Sequence, residues 1–371
     1  MKTIHFRSED KLSDIFAVAL NKNQSLKEKI APICQDEYGD FVFEFDNSKF
    51  DHLYFECDGE KSGVVYPGEL SIGVEYKFNE KTGNKLTYLL AKGVKSTGRV
   101  DNFLLVDEKN LAHRKDKSKK ISVFVPESYD GSTKHDILYF FDAQNLFCMA
   151  GEYTENGDPY GSWELDVIIK EIHRQYSKNV IVVAIDNADE YRSQELFMHP
   201  KNFGALAPLA TAIPEDDFSR GYLDGLLDFM LGTLHPFIVE KYCVSEENIG
   251  IGGSSMGGIA AFYCGIREEK FFSYVLSYSP AFGLYEISAF EDYFKTKNFS
   301  KVDTNLPKIH IYCGEGDPLE RLLISSAKAM KGVLVKYGYP EERIFETYDI
   351  EKPHNEESWR LILPQSFEYL Y

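Results

Sequence analysis

Two kinds of hydrophobic patterning predict two folds in series. The first is a small all-β, sandwich-like domain. The second is an α/β domain whose mostly parallel sheet is flanked by helices. Apolar and polar side chains alternate in short segments of the N-terminal region. Further on, apolar strand-like runs alternate with helical stretches, and a glycine-flanked serine stands where a short strand gives way to a helix.

The alternation is clearest in Asp40-Phe41-Val42-Phe43-Glu44-Phe45-Asp46 and Asp51-His52-Leu53-Tyr54-Phe55-Glu56-Cys57. A period of two marks strands buried on one face. Turn residues separate them: Asp46-Asn47-Ser48, Asp58-Gly59-Glu60 and Pro67-Gly68. Short strands punctuated in this way build a small sandwich. The expected domains are residues 1–105 and 106–371. Tyr54, Phe55, Tyr66 and Tyr76 could stack on a sugar, although the alternation assigns most of them to a core. The charged run from Asp107 to Lys120 reads as a solvated loop.

The second pattern begins near residue 119. Ile121–Val125 and Asp136–Phe141 read as strands, and Trp163–Tyr176 reads as a helix with Ser162 as its N-cap. Asn179–Ile185 is apolar throughout, as in a strand covered on both faces. Tyr222–Tyr242 reads as a long helix bent at Pro236. Ile249–Gly252, Tyr274–Tyr278, Ile309–Cys313 and Arg343–Asp349 read as strands; Leu319–Tyr337 and Glu356–Leu363 read as helices. Residues 150–161 and 186–220 lack regular pattern, as lids and pocket walls often do.

Composition narrows the function. The chain has 371 residues, 43% hydrophobic and 27% charged, enough apolar material for a real core. A net charge of -18 disfavours phosphate backbones and anionic lipid, so neither nucleic acid nor a membrane is an expected partner. Cys34, Cys57, Cys148, Cys243, Cys264 and Cys313 show no metal-binding spacing, and no metal or cofactor is expected. The start lacks the apolar core of a signal peptide, and no run of about 18 apolar residues occurs, so a cytoplasmic protein is expected. A chain that had lost a leader would read the same way.

The motif with chemistry is Gly253-Ser254-Ser255-Met256-Gly257. A serine nucleophile must stand clear of the sheet on a sharp turn, and flanking glycines relieve the crowding there. Roughly 0.1 such matches arise by chance in a chain this long. The preceding strand and following helix raise its weight. Ser255 is the expected nucleophile, with Ser254 the alternative.

A hydroxyl needs a base. His354 lies between the strand Arg343–Asp349 and the last helix, where a loop delivers an imidazole to the same sheet edge. His310 falls inside an apolar strand and reads as structural. The acid should leave the strand Ile309–Cys313, where both Glu315 and Asp317 are available. The oxyanion needs two backbone amides. Met256 supplies one, and Gln144, in the loop after Asp136–Phe141, is the candidate for the other.

These residues resemble the esterase family of α/β hydrolases that includes esterase D, enterochelin esterases, and feruloyl and acetyl-xylan esterases. The resemblance runs from about Lys119 to the end. It rests on Val125–Asp130, Asp142–Phe147, Ile185-Asp186-Asn187 with Arg192 and Glu195-Leu196, Gly252–Gly258, Ser279–Phe282 and His354–Arg360. It implies Asp317 as the acid. The chain departs from the family in Asp142-Ala143, where Asp-Gly is usual, and in Lys352-Pro353 before the histidine. The N-terminal region resembles, more weakly, an immunoglobulin-like or carbohydrate-binding sandwich. Asn145, Tyr160, Trp163, Arg192, Glu195 and Phe282 are the candidate substrate-binding residues. The expected activity is that of a serine carboxylesterase working through a Ser-His-Asp triad and an acyl-enzyme, on an acylated carbohydrate. Competing expectations are a siderophore esterase, an acyltransferase, and a catalytically dead carbohydrate-binding scaffold.

Overall fold

The computed structural model describes residues 2–7, 14–21, 25–35, 41–46, 48–50, 52–57, 60–61, 74–79, 85–90, 98–147, 163–187, 192–198, 221–297, 299 and 306–371. The chain forms two compact units, which part between Thr97 and Gly98. The division falls earlier than the sequence pattern suggests. The strand β10 (Gly98–Val106) pairs along its whole length with β11 (Ser118–Pro126), so it belongs to the larger sheet.

The N-terminal unit contains β1 (Lys2–Arg7), β2 (Ile15–Leu20), β3 (Lys27–Ile30), β4 (Cys34–Gln35), β5 (Phe41–Phe45), β6 (His52–Cys57), β7 (Glu60–Lys61), β8 (Val74–Asn79) and β9 (Lys85–Leu90). One sheet runs β4-β5-β1-β8-β9 and the other β3-β2-β6-β7. Phe6, Phe43 and Phe45 from the first share a core with Ile15, Ala17, Ala19, Leu53 and Phe55 from the second. Phe55 is wholly buried, its ring 4.4 Å from that of Phe6, so it is core and no platform for sugar. Tyr54 is half-buried, with the Lys27 ammonium 5.5 Å above its ring. Tyr76 lies in β8; Tyr66 is outside the described residues.

The larger unit continues with β12 (His135–Phe141), β13 (Val180–Ile185), β14 (Val244–Ser254), β15 (Tyr274–Tyr278), β16 (Lys308–Gly314) and β17 (Ile344–Asp349). Together with β10 and β11 they form an eight-stranded sheet in the order β10-β11-β13-β12-β14-β15-β16-β17. β10 and β11 are antiparallel to their neighbours, and the strands from β13 to β17 are parallel. Every residue of the uninterrupted apolar strand β13 is buried.

Helices cover both faces. They are α1 (Leu165–Tyr176), α2 (Arg192–Leu196), α3 (Leu223–Phe229), α4 (His235–Lys241), α5 (Met256–Arg267), α6 (Ile287–Lys297), α7 (Pro318–Lys336) and α8 (Glu356–Leu370). The alternation of β12 shows the two layers. Ile137, Tyr139 and Phe141 join the core that holds α5 and α7, whereas Phe140 packs against Trp163 just ahead of α1. A π-helical turn, Met230–Leu234, joins α3 to α4, whose second residue is Pro236. Proline has no amide to donate to the preceding turn, and a local π adjustment accommodates the missing bond. The helix α8 runs seven residues past the predicted Leu363, through Pro364. Ser162 lies outside the described residues; Glu164 occupies the cap of α1 in a left-handed conformation (φ 47°). Among the described residues no helix is long and apolar enough to cross a membrane.

The parallel strands β12, β14, β15, β16 and β17 are adjacent, so the loops after them share one edge of the sheet. Those loops carry Gln144, Ser255, Ser279, Asp317 and His354. A sheet of this kind places its ligand site at the carboxyl ends of its strands.

Candidate functional site

Ser255 stands between the last residue of β14 and the first of α5 at φ 57°, ψ -118°. This is a strained conformation for a residue with a side chain, and such strain persists only where the surroundings hold it. Here the Ser255 amide donates to the Tyr278 carbonyl at 2.9 Å, and the Ser255 carbonyl accepts from Ala281 at 3.1 Å and Ile259 at 3.2 Å. The turn is so tight that a Cβ on Gly253 would lie 2.5 Å from the Gly257 carbonyl oxygen. The flanking glycine of the motif is thus explained by close backbone approach.

His354 reaches the same edge from the loop after β17. Its Nδ1 lies 2.9 Å from Oε1 of Glu320. A carboxylate only accepts, so Nδ1 carries a proton, and in the neutral ring Nε2 is then the nitrogen with a lone pair, the form a general base needs. Among the described residues no hydrogen bond joins the Ser255 hydroxyl to the imidazole, a contact that often closes only when substrate arrives.

The acid beside the imidazole is therefore Glu320, and not the expected Asp317. Oδ2 of Asp317 accepts the His354 backbone amide at 2.6 Å, and Oδ1 accepts the Glu320 amide at 2.9 Å as the N-cap of α7. Burial alone would raise the Asp317 carboxyl, but those amides outweigh it and hold the group below its ordinary value. Asp317 shapes the loop; Glu320, one helical turn on, points back beneath it. Glu315 pairs with Lys328 at 3.0 Å in a partly exposed contact.

Glu320 is fully buried. Its carboxylate also accepts from the Ser279 hydroxyl, from the Gly314 amide at 2.9 Å and from the Cys313 thiol at 3.0 Å. The Trp359 indole N–H donates to Ser279 Oγ at 2.8 Å, so it takes a lone pair of that oxygen and turns the hydroxyl proton toward Glu320. A signal for Glu320 exists in the sequence. It shares the buried stripe of α7 with Leu323, Ile324, Ala327, Met330 and Leu334. A charge on an apolar stripe needs a buried partner. The spacing Asp317-Pro318-Leu319-Glu320 hides it, because it also reads as an ordinary helix start.

The other candidates divide. Met256 opens α5, where the first amides of a helix have no partner within it. Gln144 lies in the 3-10 turn Ala143–Asn145 after β12, beside β14 in the sheet. Asn145 occupies the same turn, and Tyr160 lies outside the described residues. Phe282 is core, packed edge-on to Phe262 and Phe290, because the residues after β15 fold down onto α5 and α6. Trp163 is also buried and stacks on Trp359, ring centres 5.4 Å apart. Trp359 in turn meets the His354 ring edge-on at 4.9 Å. Trp163 thus backs the imidazole from below. Beside it Glu164 pairs with Arg360 at 2.7 Å, tying α1 to α8. His310 is buried between Ser366 (2.6 Å) and Thr347 (3.0 Å), a structural role as expected, and burial drives it down to about 3.

Arg192 and Glu195 also serve the protein itself. The Arg192 guanidinium forks onto Asp142 (Nε–Oδ1 2.6 Å, Nη2–Oδ2 2.8 Å). Its burial would lower it, but the carboxylate beside it wins and raises it above its ordinary value. Glu195 is buried and receives Lys119, His113 (2.8 Å) and Arg114 (3.0 Å). The charged run 107–120 is thus only partly the solvated loop it resembles. His113, Arg114 and Lys119 turn inward because Glu195 would otherwise be an unpaired buried charge.

Residues 113–370 match the family described as "Putative esterase". No curated protein matches the chain. Solved structures share the fold at low identity. An IroE-like serine hydrolase from Shewanella oneidensis is 14% identical, with 73% of this chain and 79% of that one covered at a TM-score of 0.52. The siderophore hydrolase EstA from Aspergillus nidulans is 17% identical, with 75% and 95% covered at 0.54. A CE1 ferulic acid esterase from Anaeromyces mucronatus is 17% identical, with 76% and 94% covered at 0.51.

The Glu195 cluster makes a pH prediction. Burial would raise its carboxyl, but His113, Lys119 and Arg114 outweigh burial and hold it down to about 2, from an ordinary 4.5. A depressed carboxyl stabilises the fold fully above its unfolded value and loses that contribution as pH falls through the folded one. Thermal stability should therefore drop between pH 4.5 and about 2. Glu195→Gln should cost about 3–5 kcal/mol at neutral pH and flatten that drop. A variant as stable as wild type at pH 7 would contradict the assignment.

Proposed function

This chain belongs to the esterase family, hydrolases acting on ester bonds, and from that premise we propose a carboxylesterase whose nucleophile is Ser255, whose base is His354 and whose orienting acid is Glu320. The observation that carries the reading is the hydrogen bond from His354 Nδ1 to the buried Glu320 carboxylate, which leaves Nε2 free to accept a proton.

His354 Nε2 takes the Ser255 proton as Oγ adds to the ester carbonyl. The imidazolium that forms is stabilised by the Glu320 carboxylate. The carbonyl oxygen becomes an oxyanion held by the Met256 amide and by an amide of the turn 143–145, with Gln144 the candidate. The tetrahedral adduct collapses as the alkoxide leaves with the proton from His354, and an acyl-enzyme remains. Water, deprotonated by His354, then adds to the acyl carbonyl and releases the acid and Ser255.

The favoured substrate is an acylated carbohydrate. The solved relatives bear the names of siderophore hydrolases and of ferulic acid esterases, which supply two substrate classes to weigh. An anionic siderophore favours a cationic pocket. The net charge here is -18, and the Arg192 guanidinium near Met256 is already neutralised by Asp142. A panel of acetyl and feruloyl sugars beside a catecholate triester tests this choice. Preference for the triester would reverse it.

Ser255→Ala should abolish p-nitrophenyl acetate turnover and labelling by a fluorophosphonate while the fold persists. Near wild-type turnover would shift the role to Ser254. Glu320→Gln should lower kcat by about 10⁴-fold, as loss of the orienting acid does elsewhere, and Asp317→Asn by far less. The opposite ranking would restore Asp317 as the acid.

A further inference from the structure

We propose that the Asp142–Arg192 ion pair, seated on Gly257, is a positioning device that sets the oxyanion-binding turn 143–145 against the nucleophile turn. The inference rests on the oxyanion roles proposed for Met256 and that turn, and it assigns Asp142 and Arg192 a task the mechanism itself leaves open.

Asp142 follows β12 directly and adopts a left-handed backbone (φ 60°, ψ 61°). That conformation aims the chain into the turn Ala143–Asn145, and a residue other than glycine needs a reason to hold it. The reason is at hand in the side chain. Both carboxylate oxygens are taken by the Arg192 fork, at 2.6 and 2.8 Å. A two-point contact fixes the plane of the carboxylate as well as its distance.

The same carboxylate rests on the first turn of α5. A Cβ built on Gly257 would lie 2.9 Å from Asp142 Oδ2 and 3.3 Å from the Phe141 Cβ. The last glycine of the serine motif is therefore required by Asp142, whereas Gly253 is required by the nucleophile turn. A negative charge beside the start of a helix is also favourable. Arg192 touches the other side of the junction, with Nη1 3.8 Å from the Met256 sulfur. One ion pair thus touches Asp142, at the start of the turn 143–145, and the side chain of Met256, the two segments proposed to supply the oxyanion's amides.

The anchor for Arg192 is equally defined. It lies in the five-residue helix α2, and Glu195, one turn later, is gripped by Lys119, Arg114 and His113. A helix this short has little stability of its own. The buried cluster pins one end of α2, and Arg192 presents the other to Asp142. Both residues, candidates for substrate contact by sequence, become parts of one strap across the oxyanion turn.

Such a device acts on the transition state and the tetrahedral adduct, since the bound ester carries no oxyanion. The test uses the full-length chain with p-nitrophenyl acetate, with Ser255→Ala as the blank. Arg192→Lys and Arg192→Ala should each lower kcat by about 10–100-fold with KM nearly unchanged, as expected for a misplaced oxyanion donor. The acid limb of the kcat/KM pH profile should stay in place, because His354 and Glu320 are untouched. Guanidinium at low millimolar concentration should restore part of the Arg192→Ala rate, where ammonium should not. Gly257→Ala, which displaces the carboxylate from the other side, should reproduce the kcat loss. If Ser255-dependent turnover is present in the wild type but the Arg192 variants keep its kcat, or lose it only with a matching rise in KM, the positioning role is wrong and the esterase mechanism stands. A shifted acid limb, or no rescue by guanidinium, also overturns it. A wild type without Ser255-dependent turnover overturns both.

Discussion

Glu320 brings a carboxylate to a place shielded from solvent, and the C-terminal edge of the large sheet is organised around satisfying it. A buried charge costs several kcal/mol unless partners replace its solvation. Here the partners are the imidazole of His354, the hydroxyl of Ser279, the amide of Gly314 and the thiol of Cys313. They come from the loop after β17, the loop after β15 and the end of β16. The carboxylate therefore fixes where three strands deliver their loops. It also fixes the imidazole tautomer, so one contact serves both the fold and the chemistry proposed for it.

The remaining contacts keep that arrangement rigid. Ser279, itself left-handed at φ 41°, is held between Glu320 and the Trp359 indole, and its amide donates to the Tyr312 carbonyl at 2.6 Å. The residue before it, Tyr278, receives the Ser255 amide. The nucleophile turn and the acid are thus linked through two consecutive residues. Beside the imidazole the chain's two tryptophans stack, and the neighbouring Glu164–Arg360 pair joins the start of α1 to α8. Strained backbone at Ser255, Asp142 and Ser279 clusters where the loops converge. Each is held by hydrogen bonds or ion pairs that the regular parts of the sheet do not need.

Much of this was legible in the sequence. Strand β13 announced itself as an unbroken apolar run, and the serine turn by glycines at the spacing its geometry demands. His354 followed from its place between the last strand and the last helix. What escaped had a common cause: a local pattern with a second, blander meaning. Glu320 sat in a helix start already explained by Asp317 and Pro318. Arg192 and Glu195 looked like pocket residues because charge in an irregular stretch usually meets solvent or ligand, whereas here both close on partners 50 or more residues away. The aromatic rings of Trp163 and Phe282 gave no hint of which side they would face. Long-range pairing of charges is set by the tertiary fold and leaves little local trace.

The chemistry proposed for this edge turns on which carboxylate holds the imidazole. Proton NMR of the chain with ¹⁵N-labelled histidine reads that directly, through the resonance of the His354 Nδ1 proton. A strong hydrogen bond to a buried carboxylate should place it far downfield. The resonance should persist in Asp317→Asn and vanish or move upfield in Glu320→Gln. Loss in Asp317→Asn with retention in Glu320→Gln would contradict the account at its centre.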